Sequence, residues 1–289
     1  MITEKLDKAY SVLKDEGAGE LVRRVKVHSE YKLLKRFGVT SRQDVRLKVR
    51  EDKRFIRFGV RLKKPLNRDT SEDPYHHILQ SFVDQVCGTS GTRILELGAR
   101  SYTPTFRKML SHEDREYVGF DIHLGPNVDV AGDIHRLSRY FAECHFDFVF
   151  SVMVFEHVAM PWKAVLEINK VMKTGGVLLI ATTPAWPPHA LPWDFWRFNE
   201  GAMKVLLNPS TGFELTECSQ GMPCSIVPLT TEQYMSGMWR APAYLTVSAI
   251  AKKIGPPDAR LCWDVEVEDF LDSTYPEDGI IKPEEDTAA

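Results

Sequence analysis

The chain has 289 residues, 43% of them hydrophobic, and a formal net charge of −3 at pH 7. That suits a globular protein with one main domain and additions, able to bury a core. No run of 18 apolar residues exists, so no membrane-spanning helix is expected. The first residues, MITEKLDKAYSVLKDEG, lack the uninterrupted apolar core of a secretory signal. Five cysteines (Cys87, Cys144, Cys218, Cys224, Cys262) show no CxxC spacing, so reduced thiols in the cytoplasm are expected, most of them small buried hydrophobes.

The charge is unevenly spread. Residues 1–73 hold 20 Lys and Arg against 12 Asp and Glu, a surplus of eight cations, so the rest of the chain carries −11. Residues 2–16 read as an amphipathic helix with Ile2, Leu6, Tyr10 and Leu13 on one face. VRLKVR (Val45–Arg50) and IRFGVRLK (Ile56–Lys63) alternate apolar and basic residues, the pattern of a β-hairpin with one basic face. That face is a solvated surface packed on the core, or a surface for an anionic substrate, lipid headgroup or protein partner. Nucleic acid is disfavoured, because no binding motif or aromatic platform accompanies the charge.

Asp73-Pro74 is an N-cap followed by proline at the first helical position, and Ile78, Phe82 and Val86 make the apolar stripe of a helix ending at Gly88. RILELGA (Arg93–Ala99) reads as a strand opening into a glycine turn, and YVGFDIH (Tyr117–His123) as a second strand tipped by Asp121. This pairing is how doubly wound α/β folds take a nucleoside: the glycine lets backbone approach, and the carboxylate accepts from the ribose hydroxyls. VDVAGDIHRL (Val128–Leu137) predicts a third strand ending near Asp133, and FDFVFSVMVFEHV (Phe146–Val158) a fourth, continuously apolar one. MPWKAVLEINKVMKTGG (Met160–Gly176) has helical spacing at Trp162, Val165, Leu166 and Met172, with Gly175 as the C′ residue. VLLIATTP (Val177–Pro184) is the fifth strand. Such alternation implies a parallel sheet with right-handed crossovers. PAWPPHALPWDFWRF, dense in proline and aromatics, predicts an ordered loop over the strand ends, with a helix from Phe195 to Leu207. FELTEC (Phe213–Cys218) and AYLTVSAIAKKI (Ala243–Ile254) are further strands. The acidic tail from Pro256 carries Trp263, Phe270 and Tyr275 and packs on the sheet edge or stays mobile past Tyr275.

Across roughly Tyr75 to Gly255 the chain resembles the class I S-adenosylmethionine-dependent methyltransferases, of the type found among glycan and secondary-metabolite biosynthesis proteins. The motifs that carry the likeness are ILELGAR, YVGFDIH, VDVAGDIHRL, the FEHV turn, KTGGVLLIATTP and HALPWDFWRF. One departure is that Arg100 and Tyr102 stand where the family turn has further glycines. The resemblance implies an α/β, Rossmann-like, seven-stranded and mostly parallel sheet whose last two strands form an antiparallel hairpin. The organisation expected is a basic extension over 1–72 (helix and β-hairpin), a methyltransferase domain over 73–255 and an acidic tail over 256–289.

The cofactor implied is S-adenosyl-L-methionine. Asp121 with Ile122 would take the ribose, Asp133 with Ile134 the adenine, and Glu96, Gly98, Ala99 and Arg100 the methionine end, with Ser151 and Val152 beside the transferred methyl. Asp133 also reads as a helix N-cap. Because the sulfonium is already activated, the protein must mainly align the nucleophile and exclude water, and a base is needed only for a hydroxyl acceptor. His157, His189 and Asp194 are the candidate catalytic groups. Glu156, Trp193, Trp196 and Arg197 are candidates for holding a small-molecule or glycan acceptor; Trp186, Trp193 and Trp196 could stack on a sugar or simply anchor the loop. No dense His/Asp/Glu set stands out in the sequence, so no metal ligand is assigned and metal dependence stays open. Two alternatives stay open: a methyltransferase-fold scaffold without chemistry, and a nucleic-acid methyltransferase. The second lacks the Asp/Asn-Pro-Pro-aromatic segment of base-amino enzymes, since SVMV follows the fourth strand instead.

Overall fold

The computed structural model describes residues 72–100, 106–224, 226, 242–262 and 266–269. All of them except residue 226 fall in one compact unit formed by Arg68–Ser225 and Pro242–Ala289. The expected N-terminal helix, the basic hairpin, Tyr102 and the tail aromatics Trp263, Phe270 and Tyr275 lie outside the described residues.

Asp73 caps helix α1 (Pro74–Cys87), its carboxylate accepting from the Tyr75 amide. Strand β1 (Arg93–Leu97) follows, then the short helix α2 (Phe106–Leu110), β2 (Glu116–Asp121), the two-residue β3 (Val130–Ala131) and β4 (Phe146–Val152). Helix α3 (Pro161–Val171) runs directly into β5 (Met172–Thr182). Helix α4 (Glu200–Leu206), β6 (Phe213–Cys224) and β7 (Ala243–Lys253) complete the set. The sheet has seven strands in the order β3-β2-β1-β4-β5-β7-β6; β1 to β5 are mutually parallel and β7 runs antiparallel to both its neighbours.

Adjacent residues of the central strands face opposite sides, so both faces are apolar and both are covered. Leu95, Leu97, Val149, Leu178 and Ile180 pack with Val165, Ile168 and Val171 of α3 and with Met203 and Leu206 of α4. Ile94, Phe148, Phe150 and Leu179 pack on Ile78, Phe82, Val83 and Val86 of α1. Truncating Phe82 to alanine in such a core costs about 3–5 kcal/mol. Among the described residues no helix is long and apolar enough to cross a membrane.

Several elements depart from the expectations. Helix α3 ends at Val171, not Gly175: Met172 already pairs with Phe146, and Phe148 next pairs with Val177, so Lys173–Gly176 bulge out of β5. Gly175 serves that bulge with φ +87°, and Lys173 bonds both carboxylate oxygens of Asp147 across it. Asp133 does not end a long strand. It N-caps a 3-10 turn, Ile134–Arg139, through the His135 amide. Strand β4 stops at Val152, because Met153 takes φ +55° and turns the chain into a 3-10 segment, Phe155–His157. The helix expected from Phe195 starts at Glu200, where Asn199 can cap it. None of the five free cysteines is buried.

Candidate functional site

In an open α/β sheet, ligands bind beyond the carboxyl ends of the strands where the strand order reverses. Here β1 lies between β2 and β4, and a cleft opens at that point. Its wall takes Leu97 and Gly98 from the end of β1, Phe120, Asp121 and Ile122 from β2, and Gly132 to His135 from beyond β3. Met153, Val154, His157 and Val158 follow β4, and Trp193 comes from the aromatic loop.

The β1 turn is built for close approach. Gly98 has φ +82°, and a Cβ on it would stand 2.1 Å from a Val154 methyl. Its amide and that of Ala99 donate to the Phe120 carbonyl (2.8 and 3.0 Å), which ties the turn to the end of β2. The Asp121 carboxylate accepts from the amides of Arg100 (3.2 Å) and His123 (3.0 Å), with the Arg100 guanidinium 3.9 Å away. Across the cleft, Asp133 bonds the His135 amide and the His135 Nδ1 (2.6 Å). His135 Nε2 accepts from the Met160 amide, so its proton sits on Nδ1 and points at Asp133. Burial works to raise the Asp133 pKa, but the His135 bonds and Arg136 outweigh it and hold the carboxyl below its ordinary value.

Near the other end stands His157, buried on the 3-10 turn, its Nδ1–H donating to the Trp193 carbonyl at 2.6 Å. Burial lowers its pKa, against the pull of that carbonyl and of Glu156, so the ring is neutral near pH 7. Glu156 is only 1% exposed; its carboxylate accepts from the Thr182 hydroxyl, and its carbonyl takes the amides of Phe195 and Trp196. The aromatic loop is braced by Asp194, which holds Arg197 through two bonds of 2.6 and 2.7 Å. Arg197 in turn bonds the carbonyls of Trp186, Pro187 and Trp196. That fork keeps the Asp194 pKa low. Trp196 donates to the Val158 carbonyl. His189 lies edge-on to His157, with ring centroids 4.6 Å apart, and its amide bonds Asp194.

Of the residues expected from sequence, Gly98, Arg100, Asp121, Ile122, Asp133, Ile134, His157 and Trp193 line the cleft. Glu96, Ala99, Ser151, Val152, Glu156, His189, Asp194, Trp196 and Arg197 do not. Glu96 faces the α1 side, where it accepts from the Tyr117 hydroxyl (2.6 Å) and burial raises its pKa. Ala99 and Ser151 are buried behind the wall, and Val152 packs toward α1. Met153 and Val154 take the position expected for Ser151 and Val152, because the strand ends early. Sequence reasoning also missed His135. Its neighbour Asp133 was visible, and the short spacing to a histidine was the available signal.

Glu156, His157 and His189 each offer a ligand atom, all within 4.8 Å of one another. No spacing in the sequence announces this grouping, since the first two residues and the third stand on separate segments.

Residues 99–180 match the sequence model of a family described as a methyltransferase domain. Among solved structures, the chain is similar to an S-adenosylmethionine-dependent methyltransferase from Archaeoglobus fulgidus (15% identity over 61% of this chain and 94% of that one, TM-score 0.44). It is likewise similar to one from Aquifex aeolicus (15% identity, 67% and 96% covered, TM-score 0.43), and to one from Mesorhizobium loti (15%, 64% and 100%, TM-score 0.42). No curated protein matches the chain.

The cleft fits this cofactor on its own evidence: a turn only glycine can make beside Val154, and carboxylates at the tips of β2 and beyond β3. The strand order, the cleft and the match of residues 99–180 to a methyltransferase domain agree on an S-adenosylmethionine-dependent methyltransferase.

Proposed function

We propose that the domain methylates a hydroxyl of a small polyhydroxylated acceptor, a sugar or a glycosylated molecule. The observation that carries this is the composition of one cleft, with Asp121 and Asp133 on one side and the neutral His157 with Trp193 on the other. S-adenosylmethionine, when bound, supplies a methyl already activated by its sulfonium charge.

In this reading Asp121 accepts from the ribose hydroxyls, Asp133 and Ile134 take the adenine edge, and Ile122 covers its face. Gly98 and Arg100 form the methionine end. Glu96, Ala99, Ser151 and Val152 act on that end only as supports, from behind the wall. On the acceptor side Trp193 offers a ring face for the apolar side of a sugar. His157 manages the acceptor hydroxyl and its proton, with Glu156 and His189 beside it. Asp194, Arg197 and Trp196 hold the loop in place rather than touching substrate. The same reading puts the protein in the glycan- and secondary-metabolite-associated branch, working in the cytoplasm, and its free cysteines agree with a reducing compartment.

Calorimetry with S-adenosylhomocysteine, followed by transfer of labelled methyl to a panel of sugars and glycosides, tests this reading. Micromolar cofactor binding and labelled ether product are expected. Absence of cofactor binding favours the scaffold alternative, and label appearing only on nitrogen acceptors removes the oxygen assignment.

A further inference from the structure

We propose that Glu156, His157 and His189 form a divalent-metal site of the two-histidine, one-carboxylate type beside the acceptor end of the cleft. It deepens the acceptor-hydroxyl reading and rests on it for its purpose, although the site itself stands on separate observations.

The first is the donor set. Three potential ligand atoms lie within 4.8 Å of one another, two of them on buried residues. A buried carboxylate is costly unless it is paired or ligating. The Glu156 carboxylate accepts from the Thr182 hydroxyl at 2.5 Å, a neutral donor. The guanidinium of Arg197 is committed to a bidentate pair with Asp194.

The second is the orientation of the rings. Nδ1 of His157 faces the Trp193 carbonyl at 2.6 Å, and Nδ1 of His189 faces the Pro187 carbonyl at 3.1 Å. A carbonyl only accepts, so both Nδ1 atoms carry the proton. Both rings therefore hold their lone pair on Nε2. Histidines that bind metals are fixed in this way, with the other ring nitrogen donating to a carbonyl or carboxylate, and a carboxylate ligand is itself hydrogen-bonded. All three residues show that pattern.

The third is reach. His157 lines the cleft and its two partners adjoin it, so a cation on the three would stand at the cleft wall and keep a coordination position for a hydroxyl. Two imidazoles and one carboxylate suit zinc or another borderline transition metal, and not magnesium or calcium, which want oxygen ligands. Zinc bonds of 2.0–2.1 Å place tetrahedral ligands about 3.3 Å apart. Loading would thus draw His189, which rides on the loop, toward Glu156 and His157. A hydroxyl in the open position would lose its proton more readily, as water on zinc does, which is what methylation at oxygen needs.

The test uses the full chain, stripped with a chelator and titrated with Co2+, with Zn2+ as competitor. One equivalent should bind, giving the visible absorption of a low-coordinate nitrogen and oxygen site without a thiolate charge-transfer band. His189→Ala should weaken it about tenfold or more, and Glu156→Gln likewise. His189 is on a surface loop, so its variant should fold even if the buried Glu156 variant does not. No saturable binding, a thiolate band, or an affinity unchanged by His189→Ala overturns the site. S-adenosylhomocysteine affinity is measured on the same samples. Cofactor binding without metal binding removes only this inference; metal binding without cofactor binding removes the methyltransferase reading and leaves the site.

Discussion

The two ends of the cleft are made differently. The end proposed for the nucleoside uses the tips of neighbouring strands: Gly98 after β1, Asp121 at the end of β2, Asp133 two residues past β3. Each carboxylate takes one contact from two residues along, Asp121 from the His123 amide and Asp133 from the His135 amide, while the Arg100 amide and the Gly98 turn join β1 to β2 across the sheet. The end proposed for the acceptor is stitched across the chain. His157 meets the Trp193 carbonyl 36 residues away, and Thr182 meets Glu156 26 residues away. Strand tips position a nucleoside through the rigidity of the sheet, whereas the acceptor end depends on a loop that must be braced by its own ion pair. Changes at the first end should therefore strike cofactor affinity, and changes at the second acceptor handling.

The largest effect is expected from Gly98→Ala. It forces a side chain into the left-handed region and against Val154, costing about 2–4 kcal/mol of stability from strain and overpacking together. Chemical denaturation would measure it, and an unchanged midpoint would mean the turn is not as tight as its φ requires. Next, Asp121→Asn keeps the shape and removes the charge that favours two donors. Hydrogen bonds to charged groups are worth roughly 1.5–3 kcal/mol each, so cofactor affinity should fall about tenfold or more, with acceptor KM unmoved. Calorimetry showing equal affinity would detach Asp121 from the ribose.

Asp194→Asn should do the reverse. Losing the fork to Arg197 loosens the loop, with about 1–3 kcal/mol at stake. Acceptor KM should rise while the dissociation constant for S-adenosylhomocysteine stays put; a selective loss of cofactor affinity would erase the division between the two ends. Substituting His189 together with Asp194 would not isolate chemistry, because the brace goes with it.

The smallest effect is a pH dependence. The Asp133 carboxyl is held below its ordinary pKa in the fold. A depressed folded pKa contributes stability above the unfolded value, and that contribution disappears as pH falls through the folded one. Wild type should therefore exceed Asp133→Asn in stability near neutrality, and the two should converge in acid. Urea unfolding at both pH values checks this, and parallel curves would mean the caps and ion pairs around Asp133 do not hold its charge.

Much of the fold was legible because it is local. The Asp73-Pro74 cap, the stripe Ile78–Phe82–Val86 and the apolar β1 and β4 each follow from residues a few positions apart, and both caps and periodicity are short-range effects. The Gly175 reading failed for a non-local reason: Met172 pairs with Phe146 across the sheet, which captures the end of the helical pattern into β5. The cysteines failed similarly, since composition says they can be buried and only packing decides which side chains are. Ser151 and Val152 missed the cleft by one turn, because the left-handed Met153 ends the strand early.

By itself the sequence determined the alternation of strands and helices, the glycine turn of β1 and the carboxylate at the tip of β2, because backbone propensity and side-chain period act over a few residues. The tertiary structure decided which of the candidate residues share a cavity. It joined Glu156, His157 and His189, fixed the tautomer of His135 between Asp133 and the Met160 amide, and turned Asp194 and Arg197 inward as a brace. Such groupings depend on how distant segments close on one another, and a side chain's partners across 20 to 40 positions leave no periodic trace in the chain.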